Sequence, residues 1–118
     1  MEHRVFHDKD HSVLRVVFVG EVDADSYIEV VERVNALPES ERMRTLVDLT
    51  ETRAPSWDRA TRQALADHSL ETPGSKMAVF GASSLARIIA KMMVVALGVT
   101  ETTRFFATEA EALEWLAQ

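Results

Sequence analysis

The chain has 118 residues, of which 47% are hydrophobic and 27% charged, a profile that suits one globular domain around one core. Its formal net charge of −6, with no basic cluster, argues against nucleic-acid binding and against electrostatic attachment to anionic lipid. The absence of cysteine excludes disulfides and thiolate chemistry.

The opening MEHRVFHDKD has no apolar run after its charges, unlike a signal peptide. Residues 3–8 alternate as a short strand, Asp8 to His11 is turn-like, and Val13 to Val19 is a stronger strand ended by Gly20. The two should form an antiparallel hairpin. Asp23 or Asp25 then opens a helix with Tyr27, Ile28, Val31 and Val34 at helical spacing, ended by Pro38. Residues 39–42 read as a polar connection. Thr45 to Leu49 is a near-continuous apolar run, suited to a central strand buried on both faces. Thr50 to Ser56 reads as a loop, with Pro55-Ser56 as the entry to a second helix carrying Trp57, Ala60, Ala64, Leu65 and His68. Thr72-Pro73-Gly74-Ser75 breaks the chain again.

Met77 to Phe80 is a second buried strand, ending at Gly81. Ser83 or Ser84 can cap the helix over 84–97, which stops at Gly98, a residue that tolerates a left-handed cap. Arg87 and Lys91 keep this longest apolar stretch below a membrane span. Thr103 to Phe106 is a last strand, and Thr108 with Glu111 forms a capping box for a final helix with Leu113, Trp115 and Leu116 on its apolar side. The order β-β-α-β-α-β-α-β-α predicts one α/β domain over 1–118: a mixed, mostly parallel sheet of about five strands flanked by four helices.

The helix over 84–97 is apolar over an unusually wide arc. Leu85, Ile88, Ile89, Met92, Ala96 and Val99 form one stripe; Ala86, Ala90, Met93 and Leu97 form a second beside it, with Arg87 and Lys91 as the polar edge next to Val94. A surface helix ordinarily has one apolar face. Either this helix is wedged between the sheet and neighbouring helices, or one stripe meets a second chain, a lipid or a membrane. Periodicity alone does not separate the two. The reading preferred here gives the second stripe to an outside partner, so the candidate ligand or interface residues are Ala86, Arg87, Ala90, Lys91, Met93, Val94 and Leu97.

LVDLT at 46–50, KMAVFG at 76–81, LARIIAKMMVVALG at 85–98 and RFFATEAEALEWLA at 104–117 resemble the SpoIIAA-like proteins of the STAS superfamily, also described as similar to CRAL-TRIO lipid-binding domains. The resemblance implies a sheet of about five strands with helices packed around it. It implies a non-enzymatic binding module, often a homodimer, with an apolar ligand or membrane role. Related anti-sigma-factor antagonists carry a phosphorylatable serine in a D-S-[ST]-G pattern after a strand. The equivalent region here reads DLTETRAPSW from Asp48 to Trp57. Asp48 matches a strand-end acid, but Leu49 and Thr50 do not reproduce the serine, so Thr50, Thr52 and Ser56 read as turn and capping residues.

No other constellation reads as a catalytic centre. His3, His7 and His11 recur every fourth residue, but in a strand and turn rather than a helix, and with Asp8 and Asp10 they make no compact metal motif. Gly81-Ala82-Ser83-Ser84 lacks the lysine and second glycine of a P-loop and is not a G-x-S-x-G elbow. Asp48 has no histidine or second acid in evident relation to it. Trp57 and Trp115 read as helix-packing residues that could also sit at headgroup level on a membrane. The expectation is therefore a cytoplasmic, non-enzymatic module, peripheral to the membrane at most, without cofactor or metal. It would bind an apolar ligand or membrane surface through helix 84–97. The alternative is a protein-interaction module, a homodimer or a regulatory partner of the anti-sigma-factor-antagonist type without its phosphoserine motif.

Overall fold

The near-continuous, valine-rich run of VLRVVFVGEV makes Val13–Val22 (β2) a strand with apolar side chains on both faces. The computed structural model, which describes residues 3–55, 57–67 and 75–118, pairs it antiparallel with Arg4–Asp8 (β1). On its other side β2 runs parallel to Arg44–Pro55 (β3), then come Lys76–Phe80 (β4) and Thr103–Phe106 (β5), also parallel. The sheet order is β1-β2-β3-β4-β5, one mixed five-stranded sheet as the sequence predicts.

Among the described residues five α-helices flank it rather than four. Ala24–Asn35 (α1) is capped by Asp23, whose carboxylate accepts the Ser26 N–H. The expected polar connection contains a single helical turn, Glu39–Arg42 (α2). Pro38 sets its entry at φ −58°, with acids at its positive end and Arg42 at its negative end. Arg59–Asp67 (α3), Ser84–Leu97 (α4) and Glu109–Leu116 (α5) complete the set.

The third strand is longer than the apolar run that announces it. Residues 50–55, expected as loop, continue β3 and pair with β2 through two register shifts, Val19 opposite Glu51 and Val22 opposite Pro55. β4 pairs only with 44–48, so this extension has a strand on one side alone and does not need apolar residues. The helix entry also moves: α3 begins at Arg59, where Asp58 accepts the Thr61 N–H at 2.8 Å. Ser56, His68 and the break at 72–74 lie outside the described residues.

The core has two layers. One sheet face carries Leu14, Val16, Val47, Leu49 and Val79 against Val30 and Val34 of α1, with Ala90 of α4 beside them. The other carries Val13, Leu46, Ala78 and Phe80 against Ala112 and Leu116 of α5. A third cluster, Tyr27, Val31 and Ala64 with Trp57 and Met93 against it, joins α1, α3 and α4. Arg15 ties the hairpin to α5: its guanidinium donates to Asp8 at 2.7 Å and to Glu109 in the first turn of α5. Arg15 and His11 hold the Asp8 carboxyl well below the usual carboxylate range.

Candidate functional site

Gly81 (φ +80°) turns the chain out of β4 in a conformation that favours glycine. Ser83 then caps α4, its Oγ accepting the Ala86 N–H at 3.3 Å. Gly98, left-handed at φ +73°, ends the helix. Both capping assignments read from the sequence hold.

The orientation of α4 differs from the sequence reading. Ala86 (3% exposed) and Val94 (8%) are buried. Ala90 packs on the sheet and Met93 against Tyr27, Val31 and Ala64. The small side chains at 86 and 90 let the helix axis approach the strands closely. The stripe assigned to an outside partner is thus the inward one; the side chain of Leu97 is outside what the structure describes. Ala86 and Val94 are therefore removed from any surface that a second chain could reach.

Part of the other stripe faces outward: Leu85 is 65% exposed, Ile88 57% and Met92 38%, and Val95, in neither stripe, joins them at 67%, while Ile89 and Val99 are partly buried. Scattered apolar residues on a surface need no explanation, but these four form one row on one helix. Arg87 and Lys91 are exposed on one side of the row. Neither takes part in an ion pair among the described residues, and Lys91 Nζ lies 5.7 Å from the centre of the Phe105 ring on β5. No acidic residue occurs between Glu71 and Glu101, in a chain with 19 acids.

Beneath α1 and α4 lies an apolar cavity of about 140 Å³. Val30, Val47, Val79, Ala90, Met93 and Val94 are among its walls, and Asn35, Arg42 and Ser75 lie on its lining too. Three of the sequence candidates, Ala90, Met93 and Val94, thus share a wall of this cavity, while Arg87 and Lys91 stand outside with the exposed row.

The remaining candidates have structural partners. Asp48 Oδ1 accepts both the N–H and the hydroxyl of Thr50, at 2.8 and 2.6 Å, and so closes the local turn at the strand end. His3 is buried and accepts the Val19 N–H at Nδ1, and His11 Nδ1 is 2.8 Å from Asp8. Among the described residues no group of three potential ligands could hold a metal. Trp57 is half-buried in the α1–α3 cluster. Trp115 packs on Phe106, with Lys76 Nζ and the Arg104 guanidinium over its ring at 4.7 and 5.6 Å. Burial pushes the Tyr27 hydroxyl up. Among the described residues, no helix is long and apolar enough to cross a membrane.

The sequence reading missed the outward row. The available signal was side-chain size: in an all-apolar helix, alanine marks the face that comes nearest the sheet.

A family model described as SpoIIAA-like matches residues 13–117. The fold is similar to that of an anti-sigma factor antagonist from Mycobacterium paratuberculosis, with TM-score 0.63 and 16% identity over 99% of this chain and 96% of that one. It is also similar to an uncharacterised protein with a SpoIIAA-like fold from Shewanella loihica, with TM-score 0.59 and 19% identity over 97% and 91%. The anti-sigma factor antagonist SpoIIAA in its unphosphorylated form gives TM-score 0.56 and 12% identity over 98% and 97%. No curated protein sequence gives a significant match.

Proposed function

The chain belongs to the SpoIIAA-like family, and from that premise we propose that it is a non-enzymatic protein-interaction module whose contact surface is the outer face of α4. One observation carries this reading: Leu85, Ile88, Met92 and Val95 stand exposed in a single row on a helix whose opposite face is already packed. Burying such side chains against a partner stabilises by roughly 1.5–3 kcal/mol each for full burial, so the row represents a large unused term. The similarity in fold to anti-sigma factor antagonists supports a protein as the partner. A photo-crosslinking amino acid placed at position 88 in living cells tests the reading, with the exposed Glu39 position as control. A discrete protein adduct at 88 and not at 39 is expected. No adduct, or the same smear at both positions, would sink the proposal.

A second reading rests on the cavity. Its walls are almost wholly apolar and its volume is about 140 Å³, room for a benzene-sized molecule. An apolar small molecule between α1 and α4 is the form of ligand binding that this geometry favours, rather than one on the outer helix face. Native mass spectrometry of the purified protein should then show a co-purifying mass that Ala90→Phe, which fills the cavity, displaces.

A further inference from the structure

The exposed row of α4 has a defined spacing. Leu85, Ile88, Met92 and Val95 are separated by three, four and three residues, the alternation that keeps a seam on one side of a helix and receives a second helix side by side. Ala90, halfway along, lies on the opposite face and packs on the sheet, so the seam points directly away from the protein. It spans the eleven residues from Leu85 to Val95, a rise of about 15 Å, which matches roughly three turns of a partner.

The charge beside the seam narrows the partner further. Lys91 borders the seam and Arg87 lies one turn before it, farther round the same side of the helix, both without ion pairs among the described residues. No acid lies anywhere on α4. A second copy docked through the same helix would bring only further cations to the seam and neutralise none of them. An anionic membrane would gain these two cations, each worth about 1 kcal/mol near its surface, but as an extended plane it would face the whole chain of net charge −6, whereas a single helix would face α4, which carries no acid. A helix with its own apolar seam and acids at the flanks satisfies both features, because flanking charges set partner choice in paired helices.

We propose that the outer face of α4 receives an acidic amphipathic helix of a partner protein, seated on Leu85, Ile88, Met92 and Val95 and flanked by Arg87 and Lys91. This rests on the interaction reading above and adds the chemistry of the partner.

The test uses the full chain and two synthetic helical peptides of about 14 residues, long enough for three turns. Both carry leucine at the seam spacing; one has glutamate at the flanks and the other lysine. Fluorescence anisotropy should show the glutamate peptide binding at least about tenfold more tightly at low salt, with the gap closing as salt rises. The double variant Arg87→Glu, Lys91→Glu should reverse the preference. Ile88→Asp should abolish binding of both peptides while its thermal melt stays near wild type. If the lysine peptide binds as well as the glutamate peptide, or the double variant reverses nothing, the acidic partner is overturned while the interaction reading stands. If neither peptide binds but cross-linking at 88 gives a discrete adduct, the helical partner is overturned and the interaction reading again stands. A dimer in sedimentation, or binding to phosphatidylglycerol vesicles, that Ile88→Asp removes would overturn the proposal in favour of a second copy or of lipid.

Discussion

Gly81 packs directly on Thr50: a Cβ placed on Gly81 would lie 2.2 Å from Thr50 Cγ2 and 3.1 Å from its backbone nitrogen. The turn out of β4 thus runs in contact with the turn at the end of the apolar part of β3, and Gly81 also has φ +80°. Two costs follow for Gly81→Ala: about 1–2 kcal/mol for a left-handed alanine and about 1–3 kcal/mol for the overlap. Urea denaturation should show a loss of about 2–5 kcal/mol from these two terms. Thr50→Ser removes the clashing methyl but keeps the hydroxyl that bonds Asp48, so in the Gly81→Ala background it should recover part of the overlap cost and none of the backbone cost. Equal effects of Gly81→Ala with and without the serine would show that the contact is not the cause.

His3 supplies a pH dependence whose sign follows from its place. Its Nδ1 accepts the Val19 N–H at 2.9 Å, its ring stands edge-on to Phe18, and it is buried. Burial is the main force lowering its pKa below 6.5, with Glu29 and Asp23 opposing. Between that lowered value and 6.5 the unfolded chain binds the proton that the folded chain refuses, so stability rises with pH there. The contribution is complete above about pH 6.5 and is lost as pH falls toward the folded-state pKa. The lowered carboxylates Asp8, Asp23 and Asp58 act at more acid pH, below their ordinary 3.8. Melting temperatures between about pH 5 and 7.5 should therefore fall more steeply for wild type than for His3→Gln. Parallel profiles for the two proteins would refute the assignment.

How much was legible in the sequence depended on whether burial forced a pattern. Leu46, Val47 and Met77 to Phe80 lie between strands on both sides and under helices on both faces, so they must be apolar, and their apolar runs announce them. Glu51 to Pro55 pair on one side only, and their polar composition reads as loop. The caps at Asp23, Ser83, Gly98 and Thr108 are local devices and could be read locally. The orientation of α4 could not be read from periodicity, because two adjacent stripes are both apolar and only the tertiary partner decides between them. The same ambiguity blurs the site: of its named residues, Ala90, Met93 and Val94 line the cavity, while Leu85, Ile88 and Met92 fall in the stripe that the sequence reading gives to packing and Val95 falls in neither stripe.

The two faces of α4 should separate cleanly under mutation. Ala86 is 3% exposed, and aspartate there would bury an unpaired charge, with an expected loss of at least about 3 kcal/mol. Ile88 is 57% exposed, and aspartate there should change stability by no more than about 1 kcal/mol. Ala90→Glu, on the cavity wall, should fall between them. Circular dichroism melts of the three variants check the order. An Ile88 variant that unfolds with the Ala86 variant would mean that the row is not a free surface.

The phosphoacceptor question can be argued from the strand end. Thr50 gives both its N–H and its hydroxyl to Asp48, and Glu51 follows it in the chain. A phosphate on Thr50 would lose that donor and set its negative charge beside Asp48. Thr52 is half-buried, its hydroxyl 3.4 Å from the Phe18 carbonyl oxygen. Neither residue is therefore placed as a switch, and incubation with cell extract and ATP followed by site mapping should give no stoichiometric phosphate at 50 or 52. Thr50→Asp should cost about 1–3 kcal/mol, through the lost hydrogen bond and the apposed carboxylates, and should leave cross-linking from position 88 unchanged. Stoichiometric phosphate at Thr50, or a Thr50→Asp variant of wild-type stability that no longer cross-links through α4, would reverse this conclusion and make the strand end the regulator of the helix surface.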